Sequence, residues 1–556
     1  MNMMHAVSRV AVLAGLVLVS ACAADPGSAA IPAEPYGAYL AARYADAAQD
    51  PGMAAQFYAQ ALAADPGNLT LMQQGFVAAM LAGDADAATL AGPIQGNALA
   101  VMLRGNQAVQ DGDYAQAAQD FSQLPQDDLA GLIKPLLLAW VSYGGGDTPA
   151  ALASLAQNAN NPAFGPIYVL NAALIADASG DAKNAAKFYA GVQDDMPNLR
   201  LAEILASWQT RQGNVLAARA EWQALATAHP DLALAVPALQ AGAENRVIST
   251  PAQGLAEAYL TLAGSLNQPQ QTLLKISFLR FALALRPDLT AARLLLAATL
   301  AGENLPQNAP PPRPAALQTA LDVLQPIAPS DPLYIPAMLQ KASLLSTMNR
   351  PAEAAALLTH LVALQPGNAD LLEAAGDALR ANNQYQPAIA DYTQAIAALR
   401  GTSPPGAWTL YFDRGICEDQ SGNTQAAEPD LMQARALAPN QPYVLNYIAY
   451  SWAVQGVHLA QAQAMLQQAV GLDPNDGAVI DSLGYVELRE HKTRQAMALL
   501  IQAVQLAPQD AEVNAHLGDA FAQGGQKLQA VYQWSRALGL KPDAKLKATL
   551  LNDIAG

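Results

Sequence analysis

Residues 477–510 read GAVIDSLGYVELREHKTRQAMALLIQAVQLAPQD, and residues 511–544 read AEVNAHLGDAFAQGGQKLQAVYQWSRALGLKPDA. Laid one beneath the other, Leu483-Gly484 falls on Leu517-Gly518, Ala496 on Ala530, Leu500 on Trp534 and Ala503 on Ala537. A period of 34 residues is that of a two-helix unit stacked on copies of itself. The small residues let paired helices approach, and the large ones fill the space between them. Pro508 and Pro542 stop the second helix of each unit and set the turn into the next.

Upstream the prolines continue as Pro474, Pro439, Pro366 and Pro332. Residues 442–476 carry Leu445, Ile448-Ala449, Trp452, Ala462, Leu466 and Ala469, with one extra residue near Val457-His458. Residues 408–441 carry Tyr411, Gly415, Gly422, Ala427, Leu431 and Ala434. Pro429 falls inside that second helix and predicts a kink or a frayed start. Residues 369–402 repeat the pattern through Gly376, Tyr385, Ala388 and Tyr392, and 335–368 through Ala342, Ala354 and Leu358. The N-terminal half is looser. Tyr58, Gly105 with Phe121, Gly180 with Tyr189, and Gly213 with Trp222 mark units there, punctuated by Gly-Asp and Gly-Asn turns. The period lapses over 230–271, where GLAEAYLTLAG still reads as a helix, and GENLPQNAPPPRP at 302–314 is a proline-rich loop.

This order of Leu-Gly, aromatic, Ala, bulky apolar, Ala and Pro resembles the tetratricopeptide repeat (TPR). The resemblance implies an all-α fold, an alpha-alpha superhelix (TPR solenoid), in which the first helix of each repeat lines a concave groove. The stretches GLAEAYLTLA, FLRFALALRPDLTAARLLLA and LNYIAYSWAVQG look like a group of large TPR lipoproteins of alphaproteobacterial type. That likeness speaks for a fold more than for a task. The expected organisation is a signal peptide (1–21), a lipidated N-terminus with a short tether (22–31), a divergent TPR-like array (32–240) and a C-terminal TPR array (250–548).

The signal rests on the start of the chain. Arg9 precedes a short apolar run, AVLAGLVLVSA at 11–21, too short to span a bilayer. Val19-Ser20-Ala21-Cys22 resembles a bacterial lipobox, which implies cleavage before Cys22, with diacylglycerol on its thiol and an amide-linked acyl chain on its new amino group. Several acyl chains give stable anchoring at about 0.8 kcal/mol per buried methylene. Ala23 in place of an acidic residue points, by the known sorting rule, to an outer-membrane lipoprotein facing the periplasm.

Formal net charge is −17. Such a chain repels phosphate backbones, so nucleic acid is excluded as a partner. With Cys22 acylated, Cys417 stands alone, no disulfide can form, and the residue reads as a small buried filler. His229, His360, His458, His491 and His516 show no paired metal-ligand spacing. HExxH, Gly-x-Ser-x-Gly and phosphate-loop motifs are absent, and GGGD at 144–147 reads as a turn. No cofactor, metal or catalysis is expected.

By the family's usual groove positions, the residues facing a partner are Phe412, Ile416 and Asp419, then Tyr443, Asn446 and Tyr450, then Asp481, Tyr485 and Arg489, and last Asp519 and Gln523. Asn can donate to and accept from a peptide backbone, and Tyr adds contact area at low entropy cost. Arg489 can take a carboxylate in two bonds or pair with Glu487 or Glu490. Tyr443 and Tyr450 have a second reading, as packing against the next repeat. The expected function is a non-catalytic scaffold anchored by lipid in the cell envelope, binding one or more proteins through an extended peptide segment. Two alternatives stay open: an accessory subunit of an exopolysaccharide or cell-wall synthesis and export machine, and an enzyme with a site between the arrays.

Overall fold

The computed structural model describes residues 35–126, 128–162, 164–192, 198–303, 311–399 and 404–555. The signal segment, Cys22 and the tether lie outside them. Among the described residues every regular element is a helix. They group into two compact units, one ending at Gly146 and one beginning at Asp147.

The first unit holds α1 (Pro35–Ala47), α2 (Pro51–Ala64), α3 (Leu69–Ala82), α4 (Asp86–Ala91), α5 (Ala98–Gln110), α6 (Tyr114–Ser122) and α7 (Asp128–Gly144). The second opens with α8 (Thr148–Asn158), α9 (Gly165–Ala178), α10 (Ala182–Tyr189), α11 (Leu199–Arg211), α12 (Val215–Ala228) and α13 (Val236–Ala241). It continues with α14 (Pro251–Ser265), α15 (Thr272–Leu285), α16 (Thr290–Leu300) and α17 (Pro314–Leu324). The regular pairs follow: α18 (Tyr334–Thr347) with α19 (Pro351–Leu364), α20 (Ala369–Ala381) with α21 (Tyr385–Ala398), and α22 (Trp408–Gln420) with α23 (Thr424–Leu437). Then come α24 (Pro442–Gln455) with α25 (Leu459–Leu472), α26 (Gly477–Arg489) with α27 (Thr493–Leu506), α28 (Ala511–Gln523) with α29 (Lys527–Gly539), and α30 (Ala544–Ala555).

The sequence dictates these boundaries locally. After Pro474 and Pro508 the turn ends in Asp476 and Asp510, whose Oδ1 atoms accept from the N–H groups of Ala478 (2.8 Å) and Glu512 (2.8 Å). An acidic cap satisfies free backbone donors and complements the positive helix end. The extra residue of the 442–476 unit is absorbed between α24 and α25, where Gly456 and His458 both take left-handed backbone (φ 73° and 51°). Pro429 does not end α23, which runs from Thr424 to Leu437 around it. Burial of Ala427, Leu431 and Ala434, and a two-bond pairing of Asp430 with Arg414 from α22 (2.5 and 2.7 Å), hold that helix through the missing N–H.

What locks each pair is a small residue in the first helix beneath a large one sixteen positions on. A Cβ on Gly484 would lie 2.7 Å from Leu500 Cγ, and one on Gly518 2.4 Å from Trp534 Cδ1. Gly376 with Tyr392, Gly415 with Leu431 and Gly105 with Phe121 repeat the arrangement. Buried Ala449 and Met465, Ala342 and Leu358, Ala206 and Trp222, and Ala173 and Tyr189 keep the same register with alanine. Where the large residue has a polar end, it bonds beside the small one: Tyr392 Oη donates to Asp377 (2.7 Å) and Trp534 Nε1 to Asp519 (2.8 Å). A buried aromatic with a polar tip needs such a partner. The chain is thus an all-α solenoid of the expected repeat, and its register extends into the looser half.

Successive first helices also touch: α20 meets α22, α24 meets α26, and α26 meets α28. They form the inner face of the array. The stretch that loses the period, 230–271, holds a 3-10 turn at Pro230–Leu232, the short α13, α14 and a second 3-10 turn at Pro269–Gln271. Within it α14 packs on α9. No helix of the described residues is long and apolar enough to cross a membrane.

Candidate functional site

The residue after each small one faces inward, which aligns Asp377, Ile416, Tyr450, Tyr485 and Asp519 in one column. In the last three regular repeats this column gathers an aromatic row. Tyr485 stacks on His516 (centroids 4.4 Å apart, planes at 28°), and Tyr450 leans on both, 5.6 Å from Tyr485 and 6.2 Å from His516. The Tyr450 hydroxyl donates to Glu512. His516 Nδ1 and Asp481 Oδ2 lie 2.8 Å apart, both residues buried.

Burial alone would push the His516 imidazole down. The Asp481 carboxylate and its hydrogen bond, with Glu512 and Asp519 further off, outweigh it and hold the ring up to about 9. The ring therefore carries a proton at neutral pH, and Nδ1–H donates to Asp481. Burial pushes the Tyr485 and Tyr450 hydroxyls up, and Asp519 as well. Several buried acceptors in this region have no hydrogen-bond partner, among them Asn446 Oδ1, Asp481 Oδ1 and Asn514 Oδ1. An unpaired buried acceptor costs about 1–3 kcal/mol.

The other expected groove residues fare differently. Tyr443 is exposed (63 %). Arg489 is exposed too, with its guanidinium against the Gly456 turn. The carboxylates it had as alternatives belong to Lys492, at 3.6 Å from Glu487 and 2.8 Å from Glu490. Phe412 is packed between Trp408 (6.0 Å) and the edge of Tyr447 (5.7 Å). The Tyr447 hydroxyl donates to Asp419 (2.9 Å), while Ile416 is half-buried. Gln523 bridges repeats, accepting from Thr493 (2.6 Å) and donating to the Leu488 carbonyl (3.3 Å). Tyr450, Asp481 and Tyr485 are therefore brought together, and Phe412 is not with them.

His516 and Glu512 were not on the expected list. A search of histidines for metal-ligand spacing passes over His516, because its partner is a carboxylate one repeat away. The signal was available: 481 and 516 occupy adjacent columns when the repeats are aligned.

Further up the inner face the charge is mostly acidic. Burial, with Asp377 and Glu373 nearby, pushes Asp413 up to about 6 against the pull of Arg380 at 3.3 Å. Cys417 is fully buried and burial pushes its thiol up to about 12, which fits a filler. Among the described residues no group of three or more His, Cys, Asp or Glu side chains is placed to hold a metal ion.

No family model matches the chain. A TPR repeat-containing protein of Pseudomonas aeruginosa is 27 % identical over 176 residues, 31 % of this chain and 28 % of that protein. The chain thus spans little more than a quarter of that relative's length. Among solved structures, a tetratricopeptide repeat protein of Parabacteroides merdae is 16 % identical over 43 % of this chain and 93 % of its own, TM-score 0.37. The Cut9–Hcn1 hetero-tetramer of APC/C is 16 % identical over 94 % and 96 %, TM-score 0.38, and yeast Tom70 13 % identical over 82 % and 95 %, TM-score 0.36.

Proposed function

We propose that this TPR-repeat protein is a non-catalytic scaffold whose inner face, from α24 to α28, holds an extended segment of a partner protein. The observation that carries the reading is the aromatic row of Tyr450, Tyr485 and His516. The rings offer area already fixed in place, so little side-chain entropy is lost on binding. Exposed Tyr443 and Arg489 flank the row and can contact the same ligand.

The test places a photo-crosslinking amino acid at Tyr443 in cells and identifies what is captured. One protein captured through a single short segment, and lost on Tyr485→Ala while the thermal transition persists, supports the reading. Capture unaffected by Tyr485→Ala moves the interface elsewhere.

The anchoring in the reading rests on the Val19–Cys22 lipobox alone. Acylated Cys22 would hold the scaffold on the outer membrane, facing the periplasm. A palmitate analogue fed to the cells should label the protein, and Cys22→Ser should abolish the label. Label that persists in that variant rules the anchor out.

A further inference from the structure

In the regular array each first helix packs on the second helix of the repeat before it: α26 lies on α25, and α28 on α27. The residues that make this contact keep a fixed place about the small residue. Two positions after it stand Val486 and Ala520, buried in clusters with Met465 and Leu466 of α25 and with Ala496 and Leu500 of α27. Two positions before it stand Ser482 and His516, buried as well.

α1 keeps the same register. Its small residue is Ala42, fully buried sixteen positions before the fully buried Tyr58. The places two before and two after Ala42 are Leu40 and Tyr44, and no described helix precedes α1 to cover them. Leu40 is 66 % exposed and Tyr44 78 %, as is Tyr36 one turn further back. Residues four apart lie on one helix face, so the three form a bare stripe along α1. A terminal repeat of a solenoid ordinarily turns a polar face outward. The last helix does so: α30 packs on α29 and exposes Lys545, Lys547, Thr549 and Asn552 beside Leu551.

The size and place of the stripe select what covers it. The thirteen residues from Cys22 to Glu34 contain Ile31 as their one large apolar side chain besides prolines, too little to cover three. Two tyrosines and a leucine offer a second copy about 500 Å², below the roughly 800 Å² that each partner gives in a stable complex. A bilayer needs no such area when a tether holds the helix beside it. Thirteen residues reach at most about 45 Å, so acylated Cys22 makes even a weak surface contact intramolecular. Tyrosine, with an apolar ring and a polar tip, suits the headgroup level, and leucine the acyl boundary beneath it. The charge of −17 favours a zwitterionic surface over an anionic one.

We propose that the Tyr36–Leu40–Tyr44 face of α1 lies on the bilayer that holds Cys22, as a second contact beside the acyl anchor. This rests on the lipobox reading given above.

The test uses the chain without residues 1–21, its Cys22 thiol coupled to a maleimide-headgroup lipid in phosphatidylcholine vesicles. Cys417 is fully buried, so coupling goes to Cys22. A benzophenone amino acid at Leu40 should attach lipid to α1 on illumination. Tyr36→Glu with Tyr44→Glu should lower that yield about tenfold with helical circular dichroism retained, since both side chains are exposed. Tyr36→Ser with Tyr44→Ser serves the same end should the charged pair unfold. Phosphatidylglycerol in the vesicles should lower the yield at low salt. A yield no higher than from the same probe at exposed Leu528 overturns the proposal, as does a yield unchanged in the folded double variant. Cross-linked pairs of chains in place of lipid adducts also overturn it and assign the stripe to a second copy. Absence of palmitate label in cells removes the anchor reading, whereas absence of lipid adducts on the vesicles removes this proposal whatever the label shows.

Discussion

The regular repeats from α18 to α29 and the irregular stretch from α9 to α16 share the small-on-large contact, as at Ala173 with Tyr189 and Ala206 with Trp222, yet the irregular stretch adds ion pairs between residues far apart in the chain. In the regular part the contact is steric: a glycine or alanine under a leucine, methionine or aromatic ring, sixteen residues apart. In the irregular part charge carries the long connections. Asp177 of α9 accepts two bonds from Arg211 of α11 (2.8 and 2.5 Å) and one from Arg246 (3.2 Å), while Arg200 joins α11 to α14. Shape complementarity closes the first region and leaves a row of rings on its inner face. Ion pairs let the second bend away from the period.

The largest effect should come from breaking a clamp in the irregular stretch. Glu257→Ala leaves Arg200 buried with one partner fewer, and a broken buried pair costs about 3–5 kcal/mol. Urea unfolding should show the loss, and hydrogen exchange should place it in α9–α16 with α24–α29 protected as before. Exchange rising equally in both regions would mean that the array does not divide as the packing suggests.

The next effect separates the regions by pH. His516 is held up to about 9, above the 6.5 of a free imidazole. Its contribution is therefore complete below about 6.5 and fades as pH rises through about 9. The groups facing it are Asp481, Glu512, Asp519, Tyr450 and Tyr485. The last repeats should loosen between pH 7 and 10 by an amount on the order of 2 kcal/mol, and His516→Gln should flatten that slope. An unchanged slope in the variant assigns the titration to another group.

These two effects differ in how far they were legible beforehand. The fold of 335–544 could be read from Gly376, Gly415, Gly484, Gly518 and the prolines, because everything that fixes one repeat lies within 34 residues of it. The pairing of His516 with Asp481 lay one repeat further away, readable only after the inner columns are aligned. The clamps Arg200–Glu257 and Arg246–Asp177 join residues 57 and 69 apart across a stretch without period. No local pattern announces them. Phe412 shows the converse: the column marks it as a groove residue, and only the structure shows it packed on Trp408 and Tyr447.

A smaller effect tests the steric rule itself. Gly484→Leu sets a side chain where even a Cβ meets Leu500 at 2.7 Å. Overpacking of this kind costs about 1–3 kcal/mol. The loss should fall on α24–α29, because each repeat touches mainly its neighbours. A denaturation midpoint equal to wild type would refute the sixteen-residue register on which the regular region is described.

The smallest expected change decides what the regular region's inner face is for. Tyr443 and Arg489 are exposed, and surface substitutions away from special features stay within about ±0.5 kcal/mol. Tyr443→Ala with Arg489→Ala should therefore leave the melting curve in place. Tyr450→Ala should not, since Tyr450 bonds Glu512 and packs on Tyr485 and His516. The two variants thus separate holding the array together from holding a ligand. Weaker capture of the cross-linked partner by the stable double variant would show that the rings present a surface. Unchanged capture by it, with loss only in the destabilised Tyr450 variant, would mean that the row is one more packing device. The aromatic row would then belong to what closes the regular region, beside its small-on-large contacts and the His516–Asp481 pair.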